Sequence, residues 1–486
     1  MNKPIRTIAI FCLLLFVGLM LNVTYLQYYK ASALDNDSRN GRVIAATYSR
    51  QRGSILAGRT TIAESVPSND QYQYQRKYPL PLMYAPLTGW YTLGNRTGLE
   101  SSQNSFLSGE DSRLFVTRLV DLANGNNTVG GNIITTINPA AQAAAYHGLA
   151  ALGPGTQGAV VAIEPSTGKI LAMVSYPSYD PNLLASHNFK AADKSSKRLN
   201  TDPAQPLLNR AIQTTLPPGS TFKVVTAAAA LESGNYTASS MVPGGATYRL
   251  PQSTKVINNE GRNCGTGRIP FTLAMENSCN TSFAALAAEV GADGMHKQAE
   301  AFGFNQDYLT DIAGQARSLY PAGMDAPQTA ISGFGQSSVT ASPLQMAMVV
   351  AGIANGGEVM TPYLVQDHQS ADLDSLGPAN PQSFSQAVKP TTATELTKLL
   401  VATVAHGTAT PAAIPGVPVA GKTGTAETGR PGEKPYAWFI SFAPADNDPK
   451  VAVAVMIQKV DRPTTEIAGG LLGGPIAKAV MEAVLK

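Results

Sequence analysis

The chain has 486 residues, too many for one ordinary hydrophobic core, so two or more domains are expected. Only 14% of its residues are charged and the formal net charge is +3, which points to neither nucleic acid nor an acidic partner. His147, His187, His296, His368 and His406 show no metal-ligand spacing, and none stands beside a G-x-S-x-G serine, which argues against metal and Ser-His-Asp chemistry; no cofactor is expected.

Ile8 to Leu26 is apolar apart from Asn22, Thr24 and Tyr25 and follows Lys3 and Arg6. It is long enough to cross a bilayer with its basic end inside. A cleaved signal peptide is the competing reading, because Ala31-Ser32-Ala33 has the small residues of a cleavage site. The polar run Gln27-Tyr28-Tyr29-Lys30 separates that site from the apolar stretch and favours an uncleaved anchor. Residues 1–30 are then a cytoplasmic tip and single membrane span, and the rest of the chain lies outside the cytoplasm.

Residues 31–153 pattern irregularly, with short alternating runs such as Gly41 to Ala46 and a turn cluster at Ser68-Asn69-Asp70, and suggest a strand-rich linker domain. Asn132 to Ile137 reads as a strand and Pro139 to Leu149 as an Ala-rich helix. Residues 154–486 form a second region, which opens on a hairpin, Ala159 to Ile163 and Lys169 to Val174 around Glu164-Pro165-Ser166-Thr167-Gly168. Near the end, Val417 to Thr425, Tyr436 to Ala443 and Val451 to Gln458 read as strands, and Gly474 to Lys486 as a closing helix. Strands at both ends of the region with helices between them predict an α+β fold: one antiparallel sheet closed by the two ends and covered by helices. Pro343 to Ala354 reads as a core helix.

Leu216-Pro217-Pro218-Gly219-Ser220-Thr221-Phe222-Lys223 reads as a rigid, extended entry and a bend that set Ser220 and Lys223 on one face at a helix start. Further on come Ser278-Cys279-Asn280 and Lys422-Thr423-Gly424-Thr425. S-x-x-K also occurs at Ser166 and Lys169, in the hairpin turn, so the letters alone carry little; the order of the three motifs and the Pro-Pro-Gly entry carry the signal. Cys12 lies in the apolar stretch, which leaves Cys264 and Cys279 either as a disulfide, worth roughly 3 kcal/mol for a loop of this length, or as two small buried thiols.

The ordered trio resembles that of the penicillin-binding protein and serine β-lactamase superfamily. The Pro217–Lys223 run, Gly158 to Ala172, Trp438 to Pro444 and Gln51-Arg52-Gly53-Ser54-Ile55 after the anchor are similar to class B penicillin-binding proteins, most of all to the actinobacterial penicillin-binding protein A group. The resemblance implies a penicillin-binding transpeptidase fold: a five-stranded antiparallel sheet flanked by helices, an all-helical subdomain, and a pedestal or dimerisation domain at 31–153. With no second catalytic domain expected before that region, the bifunctional class A form is disfavoured.

A serine hydroxyl needs a base, and with no suitable histidine Lys223 is the nearest candidate. It serves only when neutral, which burial and a second ammonium, Lys422, promote. Ser278 can relay a proton, and Asn280 can hold a substrate carbonyl and the lysine together. Lys422, Thr423, Gly424 and Thr425 suit a binding edge for a peptide and its terminal carboxylate, and the resemblance assigns the oxyanion hole to the backbone N–H groups of Ser220 and Thr425. The implied function is D,D-transpeptidation of peptidoglycan stem peptides, supplied by a lipid-linked precursor, in wall synthesis, cell shape or division. β-Lactams would acylate Ser220, and the implied partner is a polytopic glycan polymerase of the shape, elongation, division and sporulation group. The rivals are a D,D-carboxypeptidase or β-lactamase, which Cys279 in place of the usual Asp disfavours in the second case, and a non-catalytic scaffold or sensor.

Overall fold

The computed structural model describes residues 3–31, 34, 48–70, 72–92, 95–115, 118, 119, 123, 129–430 and 432–486; the Gly41 to Ala46 run and two residues of the small-residue site, Ser32 and Ala33, lie outside them. The first helix, α1 (Lys3–Thr24), runs on through Tyr29 with none of its residues buried against protein. Together these 27 residues are long and apolar enough to be compatible with a single membrane span.

Next come β1 (Ile55–Ala57), β2 (Thr60–Pro67), β3 (Tyr74–Lys77) and β4 (Asn132–Thr135), with β1 parallel to β4 and antiparallel to β2. Among the described residues before β4 are three short α-helices, Pro81–Thr88, Gly98–Ser102 and Asn104–Leu107, whose length leaves too few turns for a helical period to register in the sequence. An ionic triad braces this pedestal. The fully buried Glu100 lies 2.7 Å from Arg52 Nε and 2.5 Å from Arg76 Nε, and Arg76 also donates to the Gly53 carbonyl at 2.7 Å.

Helix α2 (Pro139–Ala150) leads into the second region, which contains β5 (Gln157–Ile163), β6 (Ile170–Tyr176), α3 (Lys223–Glu232), β7 (Thr247–Arg249), β8 (Val256–Asn258), α4 (Asn280–Ala301, broken at Gly291), α5 (Pro343–Ala354), β9 (Val365–Gln369), α6 (Pro390–His406), β10 (Ala420–Ala426), β11 (Tyr436–Ala443), β12 (Val451–Lys459) and α7 (Gly469–Leu485). Its sheet runs β10-β11-β12-β5-β6, antiparallel at every pairing, so the two ends of the region do close one sheet. Along β12 the two-residue period is plain. Val451, Val453, Val455 and Ile457 join the core shared with α2 and α7, while Ala452, Ala454 and Met456 join the core on the other face, where α5 packs. Small residues on that second face let a helix that is buried on all sides come close to the sheet.

Three details differ from the sequence reading. The boundary between 31–153 and 154–486 is crossed twice: β9 pairs with β4 as the fifth strand of the pedestal sheet, and α2 packs on α7 and β6. Strand pairing across more than two hundred residues leaves no local mark. The closing helix begins at Gly469, because Gly469 and Gly473 lie against β11; a Cβ at Gly469 would meet the Trp438 carbonyl at 1.9 Å, so these glycines serve close packing instead of a turn. Between α3 and α4 the helical subdomain carries a nested arm, Met241–Pro243 paired with Arg268–Pro270 and, inside it, β7 paired with β8.

Burial opposes the charge on Glu100, but Arg76 and Arg52 outweigh it and hold its carboxyl below the usual range. Its stabilisation is therefore present above the unfolded carboxyl pKa, about 4.3, and is lost as pH falls through the lower folded value. Glu100→Gln leaves two guanidinium groups buried with no counter-charge and is expected to cost about 3–5 kcal/mol in thermal or denaturant unfolding at neutral pH. A Tm unchanged by this substitution would show that the triad does not brace the pedestal.

Candidate active site

Pro217 and Pro218 lead into a single tight turn, Gly219–Phe222, which runs directly into α3. The entry is less extended than its two prolines suggest, because Pro218 already has helical angles (φ −74°, ψ −13°) and starts the turn. Gly219 is left-handed (φ 53°), and a Cβ there would press on the Thr425 carbonyl at 2.8 Å. Leu216 exchanges two backbone hydrogen bonds with Ala341, and Gly219 N–H donates to the Gly335 carbonyl at 3.0 Å, which fixes the turn from outside. In a turn of three residues per revolution, side chains three apart eclipse, so Ser220 and Lys223 share a face.

Lys223 is fully buried, and its Nζ lies 2.7 Å from the Ser278 carbonyl, 3.0 Å from Ser278 Oγ and 2.7 Å from Asn280 Oδ1. Lys422 is equally buried, and its Nζ lies 2.9 Å from the same Ser278 Oγ and 3.0 Å from the Thr423 carbonyl. One hydroxyl thus joins two amines. Burial, then Lys422, then Arg262 push the Lys223 amine well below the ordinary lysine range, against a smaller pull from Glu260. Burial and Arg262 push the Lys422 amine well below the ordinary lysine range as well.

Ser278 is aimed by its backbone. Its φ is +53°, a left-handed conformation that costs a non-glycine residue on the order of 1 kcal/mol or more, and it turns the Ser278 carbonyl onto Lys223. The turn is held on either side: Ser278 and Cys279 N–H groups donate to the Met275 and Ala274 carbonyls, and Cys279 is disulfide-bonded to Cys264. Asn280, the first residue of α4, donates Nδ2 to the Asn258 carbonyl at 3.3 Å and to Glu260 Oε1 at 3.1 Å.

The Lys422 strand, β10, is an outer strand of the sheet, and alternation sorts its residues. Lys422 faces inward to Ser278, so it does not reach the cavity as a direct carboxylate ligand. Gly424 also faces inward: a Cβ there would lie 2.9 Å from the Pro218 carbonyl and 3.0 Å from Thr221 Cγ2. The glycine makes room for the Ser220 turn and not for a ligand. Thr423 Oγ1 is paired with Thr408 Oγ1 at 2.8 Å, away from the cavity. Thr425 is exposed, and its carbonyl faces Gly219; on an antiparallel strand the N–H and C=O of one residue leave by the same edge, so its N–H is on the Ser220 side.

Ser220, Asn280 and Thr425 line a cavity of about 600 Å3, with Lys223, Ser278 and Lys422 behind its wall. A larger cleft of about 870 Å3, lined by Arg430, Glu433, Lys434 and Asp461, contains none of these groups. The second S-x-x-K is ordinary hairpin structure, with Lys169 3.6 Å from Glu164. His187, His296 and His406 pair with Asp70, Glu300 and Glu276, and His368 with Gln103, all outside the cavity. Among the described residues no group of three or more His, Cys, Asp or Glu side chains could hold a metal ion. Sequence reasoning missed Glu260 and Arg262; the turn letters Glu260-Gly261 were the only signal available.

Two family models match the chain: the penicillin binding protein transpeptidase domain over residues 158–482 and the penicillin binding protein A dimerisation domain over residues 52–133. The peptidoglycan D,D-transpeptidase PbpA of Mycolicibacterium smegmatis is 44% identical over the whole of this chain and 99% of its own length. Penicillin-binding protein A of Mycobacterium tuberculosis, solved as a ceftriaxone acyl-enzyme complex, superposes with a TM-score of 0.86 at 42% identity, covering 91% of this chain and all of that one. The D,D-transpeptidase domain of a peptidoglycan glycosyltransferase from Eggerthella lenta superposes with a TM-score of 0.76 at 31% identity, over 89% of this chain and 99% of that one. The ordered motifs, the sheet that brings them together and these matches agree, and the chain belongs to the penicillin-binding protein transpeptidase family.

Proposed function

We propose that the protein is a peptidoglycan D,D-transpeptidase working through an acyl-enzyme on Ser220. The observation that carries this reading is the position of Ser278 Oγ between Lys223 Nζ and Lys422 Nζ, directly behind a cavity that Ser220 faces. A neutral Lys223 has two hydrogens and one lone pair. The two hydrogens suit the Ser278 carbonyl and Asn280 Oδ1, both at 2.7 Å. The lone pair is then left for a hydroxyl proton, from Ser278 at rest and from Ser220 in the reaction.

A stem peptide ending in D-alanyl-D-alanine lies along the free edge of β10 with its carboxylate near the Thr425 hydroxyl. Lys422 acts on that carboxylate by its charge from behind the wall. Ser220 Oγ forms a bond to the penultimate carbonyl carbon as its proton passes to Lys223, and the Ser220 and Thr425 N–H groups receive the oxyanion. The intermediate collapses with cleavage of the C–N bond. The proton travels from Lys223 through Ser278 Oγ to the departing D-alanine nitrogen. In the second half, an amine of a neighbouring stem attacks the ester, its proton returns by way of Lys223 to Ser220 Oγ, and a cross-link is left. A β-lactam is opened by the first half alone, in keeping with relatives solved as ceftriaxone, imipenem and penicillin G acyl-enzymes. In this reading α1 anchors the protein with Lys3 and Arg6 in the cytoplasm and the catalytic region outside. A membrane glycan polymerase supplies the lipid-linked strand.

Covalent labelling with fluorescent penicillin tests the assignment. Ser220→Ala is expected to abolish labelling, and Lys223→Arg, which keeps a charge but offers no base, to slow acylation by about 100-fold or more. Labelling of Ser220→Ala at the wild-type level sinks the reading, and an acyl form that decays within seconds points to a hydrolase instead.

The pH profile of penicillin acylation is a second test. Since Lys223 acts when neutral and its pKa is depressed, the rate constant is expected to fall as pH falls through the folded value, with an inflection well below the usual lysine value of about 10.4. Lys422→Gln removes the neighbouring charge, so that inflection moves to higher pH whatever happens to the plateau. An acid limb that stays in place contradicts the coupling of the two lysines.

A further inference from the structure

Glu260 is the one acidic side chain hydrogen-bonded to a motif residue among the described residues, and nothing in the reaction above uses it. Its carboxylate is 62% exposed, on the wall of the cavity that holds Ser220, Asn280 and Thr425. Its backbone is left-handed (φ 52°), which a residue other than glycine adopts only where its surroundings impose it. The surroundings do so from both sides. On one side the buried Asn259 accepts from Thr281 N–H at 3.0 Å and donates to the Gly245 carbonyl at 2.9 Å. On the other, Arg262 donates to the Asn259 carbonyl at 2.8 Å, Asn277 Nδ2 donates to the Asn263 carbonyl at 2.8 Å, and Cys264 is bonded to Cys279. The loop carrying Glu260 is therefore fastened on both flanks to the turn that carries Ser278 and Asn280.

Asn280 Nδ2 has two hydrogens, and both are in use, one on the Asn258 carbonyl and one on Glu260 Oε1. A donor carbonyl that binds Asn280 must displace one of them. The exposed carboxylate yields more readily than a backbone carbonyl fixed in β8. Once displaced, Glu260 still has Arg262 at 3.1 Å on Oε2, but Oε1 is left facing the cavity without a donor. The acceptor of a transpeptidase is a primary amine, cationic in neutral water, and the groups behind the cavity wall, Lys422 and Arg262, are of the same sign. We propose that Glu260 binds the cationic amine of the acceptor, and that it becomes free to do so when the acyl donor takes its place on Asn280. The inference rests on the transpeptidase reading and couples binding of the acceptor amine to occupation of Asn280 by the donor.

The protons balance. The ammonium, held by Glu260 at the open side of the cavity, gives one proton to solvent. The neutral nitrogen then forms its bond to the acyl carbon and passes a second proton to Lys223. That proton goes to Ser220 Oγ as the ester C–O bond breaks.

The test uses the full-length protein, an N-acyl-glycine thioester as donor, and two acceptors: glycinamide, largely cationic near neutral pH, and hydroxylamine, largely uncharged there. For Glu260→Gln, which keeps size and an acceptor for Asn280, the KM for glycinamide is expected to rise about tenfold relative to any change in fluorescent-penicillin acylation. The KM for hydroxylamine should move less than threefold. Glu427→Gln removes a charge from the same cavity wall without touching Asn280 and should not reproduce the selective loss. Equal losses for the two acceptors, an equal effect of Glu427→Gln, or no loss at all would falsify the assignment of Glu260. Failure of wild-type Ser220 to acylate would instead remove the reading beneath it.

Discussion

Ser278 Oγ stands 3.0 Å from one lysine amine and 2.9 Å from another, and both amines are sealed from water. Two full charges that close in a dry site repel by several kcal/mol even at a generous effective dielectric, so the site is at rest only when one lysine is neutral. Most of the surrounding structure can be read as a consequence. Lys223 is placed on the first turn of a helix buried along nearly all its length, Lys422 faces inward from an outer strand, and the hydroxyl between them belongs to a residue held in a left-handed conformation. Chemistry that free serine and lysine cannot perform at neutral pH becomes accessible because folding supplies the desolvation in advance.

Such a site needs rigid support, since the low basicity of both amines depends on their staying buried. The support comes from backbone fit more than from side-chain bulk. Gly219, Gly335 and Gly424 let the Ser220 turn, the segment before α5 and β10 approach to distances no Cβ would tolerate. On the far side, the Cys264–Cys279 bond and the Asn259–Thr281 contact tie the arm containing β7 and β8 to the start of α4. The cavity is thus framed by a sheet edge, two helix starts and a strapped loop, which bring Thr425, Ser220, Asn280 and Glu260 to its lining.

How much of this was legible in the sequence depends on the range of the forces involved. The strands and α5 were readable because their periods are local: Tyr436 to Ala443 and Pro343 to Ala354 have the same limits in the sequence reading and in the structure. The meeting of Lys223, Ser278 and Lys422 beside Ser220 was readable only through a resemblance, as nothing local says that Ser278 and Lys422, 144 positions apart, are hydrogen-bonded. Illegible altogether were features decided by one backbone angle or by strand alternation: the left-handed Ser278 and Glu260, the helical Pro218, and the inward turn of Lys422 and Gly424.

The pedestal and the catalytic region are joined more tightly than a hinged pair would be. The strand β9 leaves the catalytic region to complete the pedestal sheet, and just after β4, Thr136 Oγ1 donates to the Ile170 carbonyl at 2.7 Å while Asn138 N–H donates to the Leu171 carbonyl at 2.9 Å. Both acceptors belong to β6, the strand at the opposite edge of the sheet from β10. Three strands, β5, β12 and β11, lie between that junction strand and the Lys422 strand, and every pairing is antiparallel. The pedestal is thus joined, by strand pairing and by hydrogen bonds to β6, to the same sheet whose opposite edge carries Lys422.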